Sequence, residues 1–136
     1  MPFVLDASTT ITWGLADEYH PHAESALILI TWDQALVPSL WWFEVRNILI
    51  INERRKRISA IEIATFLHKL SNMSITQDLA PQEMDILRIA RQHRLTVYDA
   101  SYLELAKRKN AALATLDTEL IRAANAEGVP VIGENP

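Results

Sequence analysis

Short apolar runs alternate along this chain with longer segments whose apolar residues recur at helical spacing. The runs "FVL" (3–5), "ALV" (35–37), "SIT" (74–76), "AALAT" (111–115) and "PVI" (130–132) are brief and mostly apolar. That is the pattern of strands covered on both faces. Helical patterns fill the intervals. "HPHAESALILITW" starts near Pro21, and "SLWWFEVRNILIINERRKR" follows Pro38 with Ser39 placed as an N-cap. "SAIEIATFLHKLSN" has Ser59 and, three residues on, Glu62, the spacing of a capping box. "PQEMDILRIARQHR" has Pro81 at a first helical position, then acids, and ends in bases. "DASYLELAKRKN" opens on Asp99; "DTELIRAANAEG" opens on Asp117 and closes on Gly128.

Strand and helix in alternation predict an α/β fold with a parallel sheet and helices on both faces. In such sheets, sites form beyond the C-terminal strand ends, where the strand order reverses. Polar residues at those ends therefore matter most. Asp6 follows the first strand directly. Asp117 follows "AALATL", and Thr115, two residues earlier, lies on the same side of an extended segment. Asp99 follows the apolar pair "VY". Each of the three also reads as a helix N-cap. Glu44 differs: its neighbours three and four residues away are Trp41, Leu40, Asn47 and Ile48, with Ile51 extending the stripe. A lone charge there is costly unless paired or metal-bound; the alternative is a Glu that snorkels from the stripe's edge.

Four carboxylates gathered at one sheet edge repel unless a cation neutralises them. The chain has no cysteine, and its four histidines (His20, His22, His68 and His93) form no ligand pattern. Zinc is disfavoured, whereas an all-oxygen set suits Mg2+ or Mn2+. The missing cysteines also exclude disulfides and fit a reducing compartment.

The 136 residues carry a net charge of −4 and give the size of one domain, 1–136. No signal peptide or spanning segment is visible, which predicts a cytoplasmic protein with no membrane partner. The charge is uneven. Residues 1–45 hold six acids and no Lys or Arg, and all 13 basic residues follow, clustered in "RRKR" (54–57) and "KRK" (107–109). These clusters read as solvated helix ends or as anion contacts. Trp41 and Trp42 are adjacent, so at most one is central in the same core.

Taken in order, "VLDAS", "WWFEVRNIL", "TVYDASYLELAKRKNAALATLDTEL" and "GVPVI" resemble a PIN domain. More narrowly, they resemble the VapC-type ribonuclease toxins of bacterial toxin–antitoxin pairs. The resemblance covers nearly the whole chain. It implies a three-layer α/β/α sandwich with a central parallel sheet of about five strands, in an order near 3-2-1-4-5. It carries over an acidic quartet as Asp6, Glu44, Asp99 and Asp117, with Asp6, Asp99 and Asp117 as metal ligands. Ser8 and Thr115 match supporting hydroxyl positions, and Asn47 a polar position one turn after the glutamate. The implied activity is Mg2+-dependent (or Mn2+-dependent) hydrolysis of RNA phosphodiesters, leaving a 3′-hydroxyl and a 5′-phosphate. Arg46, Arg54, Arg55 and Lys107 are candidate RNA contacts. The resemblance also implies a homodimer and a cognate VapB-type antitoxin, in a heterotetramer or larger assembly.

Two other readings compete. One is a PIN-like module that binds RNA or a partner without cutting. The other is a phosphoacceptor receiver domain, which needs an acidic pair after the first strand and a late lysine. Asp6 has no acidic neighbour, and no lysine follows Lys109.

Overall fold

A computed structural model describes residues 1–134. Its sheet has four strands: β1 (Phe3–Leu5), β2 (Ala35–Pro38), β3 (Ile75–Asp78) and β4 (Ala112–Ala114). The order is β3-β2-β1-β4, all parallel. Phe3, Val4 and Leu5 are buried almost completely, as the continuous apolar run requires. The segment 130–132 does not become a fifth strand. It contributes one parallel bridge, Leu113↔Val131, beside β4, because Pro130 and the closing turn shorten it. The position in the order is nonetheless the expected one.

Seven helices flank the sheet among the described residues: α1 (Ala7–Thr12), α2 (Pro21–Leu29), α3 (Leu40–Arg54), α4 (Ala60–Ser71), α5 (Glu83–His93), α6 (Val97–Arg108) and α7 (Thr118–Ala126). Helix α1 packs on α2 and α3, while α6 packs on α5, α7 and three of the strands. Helix α6 is the most enclosed, with every residue from Ala100 to Ala106 buried.

Three helix starts differ from the sequence expectation. Ser39 stands at the N-cap of α3 but has helical angles and makes no capping bond. Pro81 precedes the start of α5, where Gln82 stands at the N-cap without a side-chain capping bond. Helix α6 begins at Val97, capped by Thr96, so Asp99 lies inside the first turn rather than at its mouth. A threonine capping three residues upstream frees the Asp99 carboxylate from that duty. The capping box at Ser59 and Glu62 is present with both bonds. Asp6 and Asp117 are true N-caps of α1 and α7. Gly128, just past α7, has a φ of 72°, which glycine adopts without strain.

Trp41 is buried and Trp42 is exposed. A single residue, Gly14, lets the turn after α1 approach α4: a Cβ there would lie 2.8 Å from the Phe66 ring. Phe66 is only 5% exposed, so the ring has little room to move. Gly14→Ala is expected to destabilise the protein by about 1–3 kcal/mol, the usual cost of overpacking. Urea unfolding checks this, and Phe66→Leu in the same chain should recover part of the loss.

Candidate active site

β1 and β4 lie side by side in register, Leu5 opposite Ala114. The next residues, Asp6 and Thr115, therefore leave the sheet together, at the point where the order turns from β2 and β3 back to β4. The Asp6 amide donates to the Ala114 carbonyl at 3.1 Å. The Asp6 carboxylate is buried and accepts from Ser8 Oγ at 2.8 and 2.9 Å, from the Thr9 amide at 2.9 Å and from Thr115 Oγ1. Each hydroxyl then serves the far loop. Ser8 Oγ accepts from the Leu116 amide, and Thr115 Oγ1 accepts from the Asp117 amide, both at 3.1 Å. Asp117 Oδ1 caps α7 through the amides of Glu119 and Leu120 at 2.9 and 3.1 Å.

The second half of the site hangs on α3 and α6. Trp41 Nε1 donates to Thr10 Oγ1 at 3.0 Å, and Thr10 Oγ1 donates to the Asp6 carbonyl at 2.7 Å. This chain fixes α3 against the end of β1. Glu44 follows Trp41 by three residues, and its Oε1 accepts from the Tyr102 hydroxyl at 2.5 Å. Tyr102 lies one turn beyond Asp99 on α6, so the α6 turn that carries Asp99 also steers Glu44.

The electrostatics couple Glu44 to Asp99 and Asp99 to Asp117, while Asp6 answers to its burial and its hydrogen bonds. Burial pushes the Asp6 carboxyl up to about 6, against the lowering effect of bonds from Thr115, Thr9 and Ser8. Glu44 is raised first by burial and then by the charge of Asp99, with the Tyr102 bond opposing. Asp99 is raised first by burial and then by the charge of Asp117. Burial and the Glu44 carboxylate hold the Tyr102 phenol far above its ordinary range, so it remains a donor. These are oxygen donors only, crowded enough to repel, which fits a hard divalent cation. Among the described residues no three carboxylates or imidazoles converge into a closed ligand cluster. Such an ion would keep several waters, as Mg2+ commonly does.

A family model for the PIN domain matches residues 3–126. The chain belongs to the PIN-domain family. Exonuclease VapC9 of Pyrobaculum aerophilum is 31% identical over 123 residues, spanning 88% of this chain and 83% of that one. Similar PIN folds occur in the Pyrobaculum aerophilum protein PAE2754 (TM-score 0.73, 23% identity, covering 97% of this chain and 90% of that one). FitAcB of Neisseria gonorrhoeae (0.65, 17%, 98% and 97%) and a toxin–antitoxin complex from Klebsiella pneumoniae (0.63, 19%, 98% and 99%) share the fold.

In this PIN domain the supporting positions separate into groups. Ser8 and Thr115 bond Asp6 directly. Asn47 does not join that network; it lines an open groove with Glu44, Arg46 and Arg54. Arg55 is exposed at the end of α3. Lys107 lies elsewhere, ion-paired to Glu127, beside a cavity of about 350 Å3 that it lines with Arg88 and Arg108. No member of the quartet lines that cavity. The sequence reading missed Tyr102 as a polar partner, and Thr10 with Trp41 as a brace. The spacing of Asp99 and Tyr102, three residues apart on one helix, was the available signal.

Asp6 sets a pH dependence of stability. In the folded chain it keeps its proton to about pH 6, against a reference value of 3.8. Between those values the folded state binds more protons than the unfolded state, so stability falls as pH rises. The contribution is complete below about pH 4 and gone above about pH 6, and amounts to about 3 kcal/mol. Urea unfolding from pH 4 to 7 in EDTA should show this loss in the wild type. Asp6→Asn should remove it, flattening the curve across that window.

Proposed function

We propose that this PIN domain is a Mg2+-dependent endoribonuclease, the toxin of a toxin–antitoxin pair. The observation that carries this reading is the run of carboxylates coupled across α3, α6 and the β4–α7 loop, with Asp6 joined to it through Thr115, which bonds both the Asp6 carboxylate and the Asp117 amide. Asp117 raises Asp99, and Asp99 raises Glu44. That repulsion is a standing cost without a cation and an affinity for one with it. The 31% identity to a nuclease of the same family supports the hydrolytic class. A neighbour described as a toxin–antitoxin complex supports the partner.

Asp99 and Asp117 are the residues to hold Mg2+ (or Mn2+), with Asp6 contributing a fixed charge that reaches the ion directly or through water. When bound, the ion supplies positive charge to phosphate oxygens and acidifies water. The chain's own groups do the rest. Ser8, Thr9 and Thr115 keep the Asp6 carboxylate in one orientation. Tyr102 holds Glu44 by Oε1, and Oε2 has no hydrogen bond among the described residues. Glu44 Oε2 is thus placed to take a proton from the attacking water, and its raised pKa suits a general base. Water attack opens the phosphodiester to a 3′-hydroxyl and a 5′-phosphate. Within 39–70, the exposed apolar positions outside the Phe43 groove, Ile61 of α4 among them, are the surface for an antitoxin segment and for a second subunit. The expected setting is cytoplasmic, and among the described residues no helix is long and apolar enough to cross a membrane.

Purified protein should cleave total RNA in Mg2+ and stop in EDTA. Asp99→Asn and Asp117→Asn should each lower kcat by roughly 100-fold or more. Circular RNA should be opened, which an enzyme acting only from chain ends cannot do. A non-cutting module would instead bind RNA without cleaving it. Co-expression with the adjacent small open reading frame should relieve toxicity.

Tyr102→Phe gives a finer test. The Tyr102 bond lowers the Glu44 pKa, so its loss raises that pKa further. The acidic limb of the kcat/KM profile should move to higher pH. A change in amplitude with no shift of the limb would assign Tyr102 a purely structural part.

A further inference from the structure

We propose that α3 carries a stacking platform for an unpaired RNA base, built on Phe43 with Trp42 behind it. This rests on the reading of the protein as an RNA hydrolase and adds a subsite to it: a place for one stacked base beside Glu44.

The observations are local to one helix face. Phe43 is 70% exposed and Trp42 is 47% exposed, although both sit on a helix whose opposite side, at Trp41, Val45 and Leu49, is buried. Folding therefore leaves two large aromatic rings in water. The rings meet edge to face, with centroids 5.0 Å apart and planes at 72°. The Arg46 guanidinium lies 3.9 Å over the Trp42 ring and donates to the Trp42 carbonyl at 3.1 Å. Trp42 is thus held from one side by a cation–π contact, and Phe43 is braced against Trp42.

Phe43, Asn47, Ile50 and Arg54 recur at helical spacing and line an open groove of about 520 Å3, with Glu44 and Arg46 on its wall. Arg57, Arg88, Lys107, Arg108 and Arg122 all pair with carboxylates. Arg46 and Arg54, like Arg55 and Lys56 beyond them, have no carboxylate partner among the described residues, and of these Arg46 and Arg54 line the groove. Exposed aromatic rings beside unpaired guanidinium groups match a strand of alternating bases and phosphates. Asn47, exposed between them, offers both a donor and an acceptor to a base edge.

Charge separates this occupant from an apolar protein segment, because Arg46 and Arg54 line the groove beside Phe43. Glu44 forms part of the groove wall, so whatever lies along Phe43 and Arg54 passes the reacting centre. Stacking needs an unpaired base, and RNA recognition of this kind works on single strands and loops.

The test uses the full chain, Mg2+ and short single-stranded oligoribonucleotides of randomised sequence. Phe43→Ala should raise KM by about fivefold to a hundredfold, the range for loss of one stacked base. Its kcat should change by less than about threefold, since uniform binding is what is lost. Phe43→Trp should keep the wild-type KM, and Phe43→Leu should not. An unchanged KM in Phe43→Ala, or a Leu variant as good as the Trp variant, would overturn the platform while leaving the hydrolase reading intact. A Phe43→Ala protein with unchanged KM but altered sedimentation would make this face a contact between copies. Unchanged KM with lost relief by the adjacent open reading frame would make it an antitoxin contact. A wild-type protein that cleaves no RNA in Mg2+ would remove the parent reading and the platform with it.

Discussion

The Asp6 carboxylate is sealed at the junction of β1 and β4, and a buried charge there costs free energy that its surroundings must offset. Its partners are all neighbours by topology. Ser8 and Thr9 belong to the helix that Asp6 caps; Thr115 arrives because β4 lies in register beside β1. The same two hydroxyls then anchor the amides of Leu116 and Asp117. One acid therefore closes the sheet edge, starts α1 and sets the loop that presents the next acid. If β4 slipped by a single residue, Thr115 would face away and the arrangement would fail.

The hydrogen bonds only partly balance the burial, which is why the carboxyl stays high at about 6. The imbalance is informative. A structure selected for stability alone would place a neutral residue at this point, since replacing buried charge by well-fitted neutral groups is often stabilising. Strain of this kind, matched at Glu44 and Asp99, concentrates where groups are held ready for chemistry. Asp6 and Asp117 serve structure through capping, and in the proposed function their charge serves chemistry as well.

That double duty explains what could be read from the sequence. Asp6 and Asp117 announce themselves, because a cap after a short apolar run is a local pattern. The parallel α/β sheet was also legible in the alternating runs, whereas its order came only with the resemblance to PIN domains. The start of α6 was not. Thr96 and Asp99 are both credible caps three residues apart, and only the fold decides that Thr96 serves while Asp99 lies half-buried inside the first turn. Tyr102 looked like core because it is core; its hydroxyl alone reaches Glu44, 58 residues away in sequence. The segment 130–132 has strand composition, but only one bridge forms. Pairings at long separation are invisible to periodicity.

For the proposed function, helix α3 resolves the oddity of an acidic centre that must accept a polyanion. It starts within the stretch of 45 residues that has no Lys or Arg and ends in "RRKR". From Glu44 to Arg54 it rises by roughly 15 Å. Along that rise the surface changes from carboxylate to guanidinium, with Asn47 and Ile50 between. A strand laid on this helix would meet attraction first and the acids last. Net charge of −4 therefore says little about the partner, because the sign that matters is set along one helix and not over the whole chain.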